Sequence, residues 1–286
     1  MKAPPFSYHA PTTVADAIKL LAAEPNARPL AGGQSLMPML NFRLANPDAL
    51  IDLNRLAALD FIRAERDAIV IGAMTRQRTV EFSALIGARL PLLAQAIKWV
   101  GHRQTRNRGT IGGSLVHLDP SAEIPAVAIA LDAVLKIVSP RGERSVPMAQ
   151  FAQGIMTTDL AADELLVEVR LPTWPEPHTV GFVEFARRHG DFAIVSAGVQ
   201  IARDSGGRIT RAVIVIGGAT PVPHRLVEAE STLIGISDYE GAAVTLAAAA
   251  GKIDAMSDTT YPDWYRRKLA ITMSQRALRQ AWEARA

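Results

Sequence analysis

The sequence predicts an α+β fold, in which helices pack on one side of an antiparallel sheet. Three apolar segments, at residues 180–185, 193–201 and 208–216, follow one another with polar or glycine turns between them, as the strands of a meander do. Segments with helical spacing come next, at residues 224–233, 241–250 and 263–283. Runs of strands followed by runs of helices are typical of this class.

The first half of the chain predicts shorter elements arranged around two glycine turns. Residues 12–21 predict an amphipathic helix that Thr12 or Thr13 caps, and residues 90–100 predict a helix that Pro91 opens. A further helix is predicted at residues 125–131, and strands are predicted at residues 50–53, 68–73, 133–138 and 164–171. The proline-rich run at residues 172–177 cannot continue a β-ladder, so we place the main domain boundary there.

Composition excludes several classes of protein. The chain has 286 residues and 49% apolar composition, which predicts about two domains with buried cores. It has no cysteine, so iron–sulfur clusters, disulfides and cysteine nucleophiles are excluded, and redox chemistry would need a bound organic cofactor. The net charge of +3 is spread along the chain, which argues against nucleic-acid binding. No apolar run approaches a membrane span or a signal peptide, and we expect a cytoplasmic protein without a transmembrane segment.

The common catalytic and nucleotide-binding signatures are missing. The sequence contains no G-x-G-x-x-G after a strand and no G-x-x-x-x-G-K-[ST], which disfavours Rossmann and Walker sites. It also lacks H-E-x-x-H and G-x-S-x-G, and its six histidines show no ligand-like spacing. We therefore predict no metal ligands.

Two glycine segments remain: A-G-G-Q-S-L at residues 31–36 and T-I-G-G-S-L at residues 110–115. Paired glycines let the backbone turn tightly with positive φ and let a ligand approach the amides, and the adjoining hydroxyl is a further donor. Each segment alone is weak evidence, because an ordinary tight turn is its more common explanation. Two of them, separated by a domain-sized stretch, predict opposite walls of one diphosphate-binding cleft.

The same segments carry a resemblance to a known family. A-G-G-Q-S-L (31–36), R-N-R-G-T-I-G-G-S-L (106–115) and R-R-H-G-D-F-A (187–193) resemble the FAD-binding medium subunits of the carbon monoxide dehydrogenase and xanthine dehydrogenase family, the molybdenum hydroxylases. The resemblance implies a vanillyl-alcohol-oxidase-like (PCMH-type) FAD-binding fold. Its two subdomains would span residues 1–57 and 58–175, and a C-terminal α+β domain with a three-stranded antiparallel sheet would span residues 176–286.

The resemblance also implies an activity and partners. The chain would be the flavoprotein subunit of a heterotrimer-based oxidoreductase. Substrate chemistry would belong to another chain, so no catalytic residue is expected on this one. Its partners would be a small subunit with [2Fe–2S] clusters and a large molybdopterin subunit, assembled as a dimer of heterotrimers, a heterohexamer. Electrons would pass through non-covalently bound FAD to an external acceptor. The alternatives are a self-contained flavin oxidase or dehydrogenase of the same fold, and a binding module without its cofactor.

By position, the resemblance assigns cofactor-binding residues. The FAD diphosphate would contact the two glycine segments: Ala31, Gly32, Gly33, Gln34, Ser35, Leu36, Thr110, Ile111, Gly112, Gly113 and Ser114. Outside them, Glu123 would lie near the adenosine part, Leu166 at the flavin ring system, Phe182 over the isoalloxazine, and His117 close to the second segment. Each of these four has an ordinary alternative: a carboxylate at a helix start, a core leucine, a core phenylalanine and a structural histidine.

The sequence departs from part of this family at one charged position. Several relatives carry a lysine near position 184, where it would favour the reduced flavin, and this chain has Glu184. Arg187 or Arg188 could supply the charge instead, and a carboxylate–arginine surface pair is the simpler alternative. The basic cluster of Arg103, Arg106 and Arg108, together with the arginine-rich last helix that includes Arg266, could dock the iron–sulfur subunit or could simply be solvated.

Overall fold

A parallel sheet of three short strands forms the N-terminal part of the molecule; the computed structural model describes residues 2–284. The strand order is β1-β3-β2. Thr13 accepts a hydrogen bond from the Asp16 amide and caps the first helix, whose buried face confirms the predicted amphipathic helix. The elements are β1 (Ser7–His9), α1 (Val14–Ala23), β2 (Ala27–Leu30), α2 (Leu36–Asn41) and β3 (Ala49–Asp52).

A five-stranded sheet, antiparallel throughout, forms the middle of the chain. Its order is β4-β5-β10-β6-β7, and the helices of this part cover it to form the largest hydrophobic core. The strands predicted at residues 68–73, 133–138 and 164–171 are confirmed within one residue or two. The elements are β4 (Ile62–Ala64), β5 (Ala68–Gly72), α3 (Gln77–Glu81), α4 (Ala84–Arg89), α5 (Pro91–Ala96), α6 (Arg103–Arg108), α7 (Ile111–His117), α8 (Glu123–Ala130), β6 (Val134–Ser139), β7 (Gly142–Pro147), α9 (Met148–Phe151), β8 (Ala152–Gly154), β9 (Thr157–Thr158) and β10 (Leu165–Pro172).

The C-terminal part is an antiparallel sheet in the order β11-β12-β13-β14, with its own helices on one face and with α5 and α8 of the middle part on the other. The predicted three-strand meander is confirmed, and a two-residue fourth strand adds to it. That strand replaces the predicted helix start at His224, because its backbone pairs with Ile216 and the helix begins only at Val227. The elements are β11 (Thr179–Phe185), β12 (Val195–Arg203), β13 (Ile209–Gly217), β14 (His224–Arg225), α10 (Val227–Leu233), α11 (Tyr239–Ala250) and α12 (Asp263–Glu283).

The last helix lies directly on the sheet because one strand residue has no side chain. A Cβ atom at Gly181 on β11 would overlap the Ala277 carbonyl oxygen of α12 and would lie 3.0 Å from the Ala281 amide nitrogen. Ala277 and Ala281 are themselves fully buried, so small residues line both sides of the contact. In the part of the chain described, no helix is both long and apolar enough to cross a membrane.

Replacing Gly181 by alanine tests this contact. Gly181→Ala should lower the free energy of unfolding by about 1–3 kcal/mol, because the added methyl group has no room between β11 and α12. Urea denaturation measures the loss. Gly87→Ala is the matched control, since a Cβ there meets nothing within 4 Å and alanine favours the helix. Equal midpoints for Gly181→Ala and the wild-type chain would contradict the close packing.

Candidate flavin-binding site

The two glycine segments lie against one another. A Cβ atom at Gly32 would overlap the Arg108 carbonyl group and would lie 2.8 Å from the Gly109 Cα atom. A Cβ at Gly113 would lie 3.5 Å from the Ala31 Cβ atom. The predicted convergence of the two segments is therefore confirmed, and Gly32 is required because any side chain would push them apart. Contact with a diphosphate stays a prediction.

Two residues that the sequence did not single out hold the segments together. Asn54 donates from Nδ2 to the Ala31 carbonyl oxygen, at 3.1 Å, and accepts at Oδ1 from the Arg76 guanidinium, at 2.5 Å. The same guanidinium donates to the Arg108 carbonyl oxygen. Burial, and then the charge of Arg108, lower the pKa of Arg76. Asn54 and Arg76 thus form a bridge from the first segment to the second.

The first segment presents a row of free donors. The backbone amides of Gly32 to Leu36 donate no hydrogen bond to any residue from 2 to 284, and Gly33 has φ of +70°. The Gln34 side chain turns back and donates to the Gly32 carbonyl oxygen, at 3.1 Å. The Ser35 hydroxyl makes no hydrogen bond within the described structure. Consecutive free amides beside a hydroxyl are the donor set that an anion binds.

The second segment differs from the predicted glycine turn. Thr110 caps α7, and Gly112 and Gly113 lie in the first turn of that helix with no positive φ. Gly112 serves packing instead, since a Cβ there would lie 2.6 Å from the Ala73 Cβ atom. The prediction of a tight turn with positive φ was wrong here, because a glycine pair also permits a helix to begin close to a strand end.

Most amides of the second segment are already engaged. The Ile111 and Gly112 amides donate to the carbonyl oxygens of Thr75, at 3.0 Å, and Ala73, at 2.8 Å. The Gly113 amide donates to the Thr110 Oγ1 atom, at 3.0 Å, and the Ser114 amide to the Thr110 carbonyl oxygen, at 3.2 Å. The segment therefore offers a ligand its Ser114 hydroxyl and the Thr110 amide, which have no acceptor in the described residues, rather than a row of amides.

Four predicted residues lie outside the two segments. His117 ends α7 and is partly exposed, and Glu123 begins α8 and is buried. Leu166 on β10 and Phe182 on β11 are both buried in the largest core. The Phe182 amide donates to the side-chain oxygens of two glutamines, Gln95 and Gln280. Core packing accounts for Leu166 and Phe182, so their roles at the flavin ring stay predictions.

Glu184 is paired with another carboxyl group. Its carboxyl group lies next to that of Glu123, across the junction between α8 and β11, and neither of its oxygens has a hydrogen-bond donor among the described residues. Burial raises the pKa of Glu123 to about 7, and burial together with the neighbouring Glu123 raises the pKa of Glu184 to about 8. The alternative of a carboxylate–arginine surface pair was therefore wrong, because the partner is acidic and the site is buried.

The arginine clusters also differ from expectation. Arg106 is buried, forms a bidentate ion pair with Glu81 and donates to the Val100 carbonyl oxygen. Arg266 is buried and donates to the Ile194 carbonyl oxygen, at 2.7 Å. Neither guanidinium can dock a partner, so those two assignments were wrong. Arg103 and Arg108 are exposed, and docking through them stays a prediction.

The third segment that carried the resemblance packs against the stretch that precedes the second. Gly190, with φ of +86°, closely approaches the His102 ring just before α6, where an added Cβ would lie 3.0 Å from the Nε2 atom. His189 lies against Trp99 with ring centroids 5.9 Å apart. Residues 187–193 therefore join the C-terminal part to the stretch that leads into the second glycine segment.

The fold and the paired segments agree with the class of protein that two family matches show: flavoproteins that bind FAD. Residues 4–174 match the family described as FAD binding domain in molybdopterin dehydrogenase. Residues 181–281 match the CO dehydrogenase flavoprotein C-terminal domain. The expected cofactor is therefore confirmed.

Curated relatives match over nearly their full length. The chain is 40% identical over 284 residues to the 6-hydroxypseudooxynicotine dehydrogenase complex subunit alpha of Paenarthrobacter nicotinovorans, covering 98% of this chain and 96% of the relative. It is 37% identical over 281 residues to the carbon monoxide dehydrogenase medium chain of Hydrogenophaga pseudoflava, covering 98% of both.

Solved structures of two enzymes contain chains with the same fold. A carbon monoxide dehydrogenase structure from Hydrogenophaga pseudoflava has a TM-score of 0.94 at 38% identity, covering 99% of each chain. Quinoline 2-oxidoreductase from Pseudomonas putida 86 has a TM-score of 0.94 at 36% identity, with the same coverage.

The chain belongs to the family of FAD-binding medium subunits of molybdenum hydroxylases, and is an oxidoreductase subunit. The predicted resemblance and fold class are confirmed.

Gly32→Ala tests the contact between the segments. The added methyl group should force the first segment away from the Arg108 carbonyl group, and the purified protein should lose most of its FAD while keeping its fold. Flavin absorbance per chain measures the first result, and far-ultraviolet circular dichroism the second. Gly87→Ala is again the control, because its added Cβ is unopposed. A Gly32→Ala protein with full FAD content would show that the segments need not touch.

Proposed function

We propose that this chain is the electron-transferring subunit of a molybdenum hydroxylase. It binds FAD non-covalently, receives electrons from [2Fe–2S] clusters of a small subunit and passes them to an external acceptor. The chain has no cysteine for such clusters, and its relatives carry names such as complex subunit alpha and medium chain. FAD supplies a redox group that exchanges electrons singly or in pairs.

One observation carries the proposal: the first segment, whose Gly32 to Leu36 amides have no acceptor among residues 2–284, lies in contact with the second segment. Those amides and the hydroxyls of Ser35 and Ser114 would hold the diphosphate. The positive charges of Arg76 and Arg108 stand beside the same contact and favour a dianion there. The residues present therefore fit the group that the family implies.

The partners follow from the same reasoning. A large molybdopterin subunit would carry out substrate hydroxylation, and the three chains would form a cytoplasmic dimer of heterotrimers. The domain division at residues 1–57, 58–175 and 176–286 belongs to this proposal. The matched ranges, 4–174 and 181–281, support a main boundary close to residue 175.

The alternative, a self-contained flavin oxidase or dehydrogenase, makes an opposite prediction for the isolated chain. Under our proposal, the purified chain should be yellow, should release FAD on acid precipitation and should show no turnover of hydroxylase substrates with an artificial acceptor. Activity should appear only when the small and large subunits are added. Turnover by the isolated chain, free of partner subunits, would favour the alternative.

Removing the two hydroxyls should weaken FAD binding. Ser35→Ala and Ser114→Ala should each raise the Kd for FAD by about tenfold or more, because a hydrogen bond to a charged group contributes about 1.5–3 kcal/mol. Fluorescence titration of the FAD-free protein measures Kd. Ser205→Ala, at an exposed turn in the C-terminal part, is the control and should leave Kd unchanged. Unchanged Kd values in both test variants would show that neither serine binds the diphosphate.

A further inference from the structure

Two buried carboxyl groups meet where the middle and C-terminal parts of the chain join. Glu123 is the first residue of α8 and is 6% exposed, and Glu184 lies on β11. Neither Glu184 oxygen is accessible to solvent, and neither has a hydrogen-bond donor in the described structure. On the neighbouring strand, Ser196 lies directly opposite Glu184, and its buried hydroxyl also lacks a partner.

This arrangement lacks a hydrogen-bond donor, and a proton on one of the two carboxyl groups supplies it. Two ionised carboxylates are acceptors only, so the Glu184 oxygens would remain unsatisfied and the two groups would repel one another in a poorly solvated site. One proton turns one carboxyl group into a donor to the other. The contact then becomes a short hydrogen bond between an acid and its anion, as in other carboxyl pairs that share a proton.

The surrounding charges do not remove the need for that proton. Glu123 experiences Asp119, which raises its pKa, and Arg106, which lowers it less than burial raises it. Arg106 is already committed to its ion pair with Glu81. Burial raises the pKa of Glu184 most, and the neighbouring Glu123 carboxyl raises it further. The pKa values of about 7 and about 8 agree with a shared proton.

We propose that Glu123 and Glu184 share one proton at neutral pH, and that this pair couples the binding of FAD to the uptake of a proton. The coupling rests on the proposed FAD site, whereas the sharing of the proton does not. The proposal assigns Glu184 a positioning role: it acts through Glu123, which begins α8, and α8 packs against α7, the helix that the second glycine segment opens.

The sign of the coupling follows from charge. The FAD diphosphate carries negative charge, so its arrival favours the protonated form of the pair and raises the pKa of that pair. FAD binding therefore takes up a proton where the free pair is partly ionised, and FAD affinity falls as the pH rises through about 7 to 9. The fall is about tenfold for each unit by which bound FAD raises the pKa.

The sharing of the proton is tested on the protein without FAD. Both pKa values lie above the roughly 4.3 of an unfolded glutamate, so the folded state holds extra protons and its stability falls between about pH 4 and pH 8. The urea midpoint of the wild-type chain should therefore fall between pH 5 and pH 9 by more than that of Glu184→Gln, whose amide donates to Glu123 without a proton. Glu228→Gln, an exposed control, should follow the wild-type curve. Parallel curves for the wild-type chain and Glu184→Gln would overturn the shared proton.

The coupling is tested by the Kd for FAD between pH 6.5 and pH 9. It should rise with pH in the wild-type chain and in Glu228→Gln, and it should be level in Glu184→Gln and in Glu184→Lys. Calorimetry in buffers of different ionisation enthalpy should show proton uptake in the wild-type chain and a smaller uptake in Glu184→Gln. A level wild-type Kd, or the wild-type slope in Glu184→Gln, would overturn the coupling while leaving the proposed function intact. Failure of the wild-type chain to bind FAD at any pH would instead overturn the proposed function and the coupling together.

Discussion

The contact between Gly32 and the Arg108 carbonyl group determines what the rest of the site can do. It sets the separation of two segments that lie about 75 residues apart in the chain, and it exists because Gly32 has no Cβ atom. Asn54 and Arg76 hold that separation by satisfying a carbonyl oxygen on each side. Each of these hydrogen bonds holds its segment in place, so the bridge stabilises the same arrangement that the glycine permits.

Both segments contain a glycine pair and a serine, as G-G-Q-S in the first and G-G-S in the second. Their structural roles differ. The first leaves its amides free, because Gly33 with positive φ turns the chain away from β2 before α2 begins. The second commits its amides to Thr75, Ala73 and its own cap, so it supplies rigidity and a hydroxyl. A diphosphate site needs both functions: one wall provides donors, and the other keeps that wall in place without competing for the ligand.

Periodicity was enough to predict the long elements and not the short ones. α12 was predicted at its exact bounds, and β12 and β13 within two residues, because long buried segments repeat their pattern many times. Strands such as β4 and β7 are short or exposed and exist through pairing with distant partners. No sequence pattern around Arg76 or Asn54 predicts their role, because that role depends on two carbonyl groups that the fold brings near. Arg106 and Arg266 were misjudged because charge is usually exposed, and here buried carbonyl groups and carboxylates pair with it.

A glutamate at position 184 gives this site electrostatics different from those that a lysine there would give. A lysine at this position would form an ion pair with Glu123, with no net charge. Glutamate cannot, and the repulsion of two buried carboxylates would be large; retaining one proton lowers the charge of the pair from −2 to −1. The site therefore carries one more negative charge than a lysine–glutamate pair would. That charge disfavours additional negative charge nearby, whether it arrives with a bound dinucleotide or with electrons. In this chain, the proton therefore takes over part of the neutralising role that a fixed lysine charge would have at position 184.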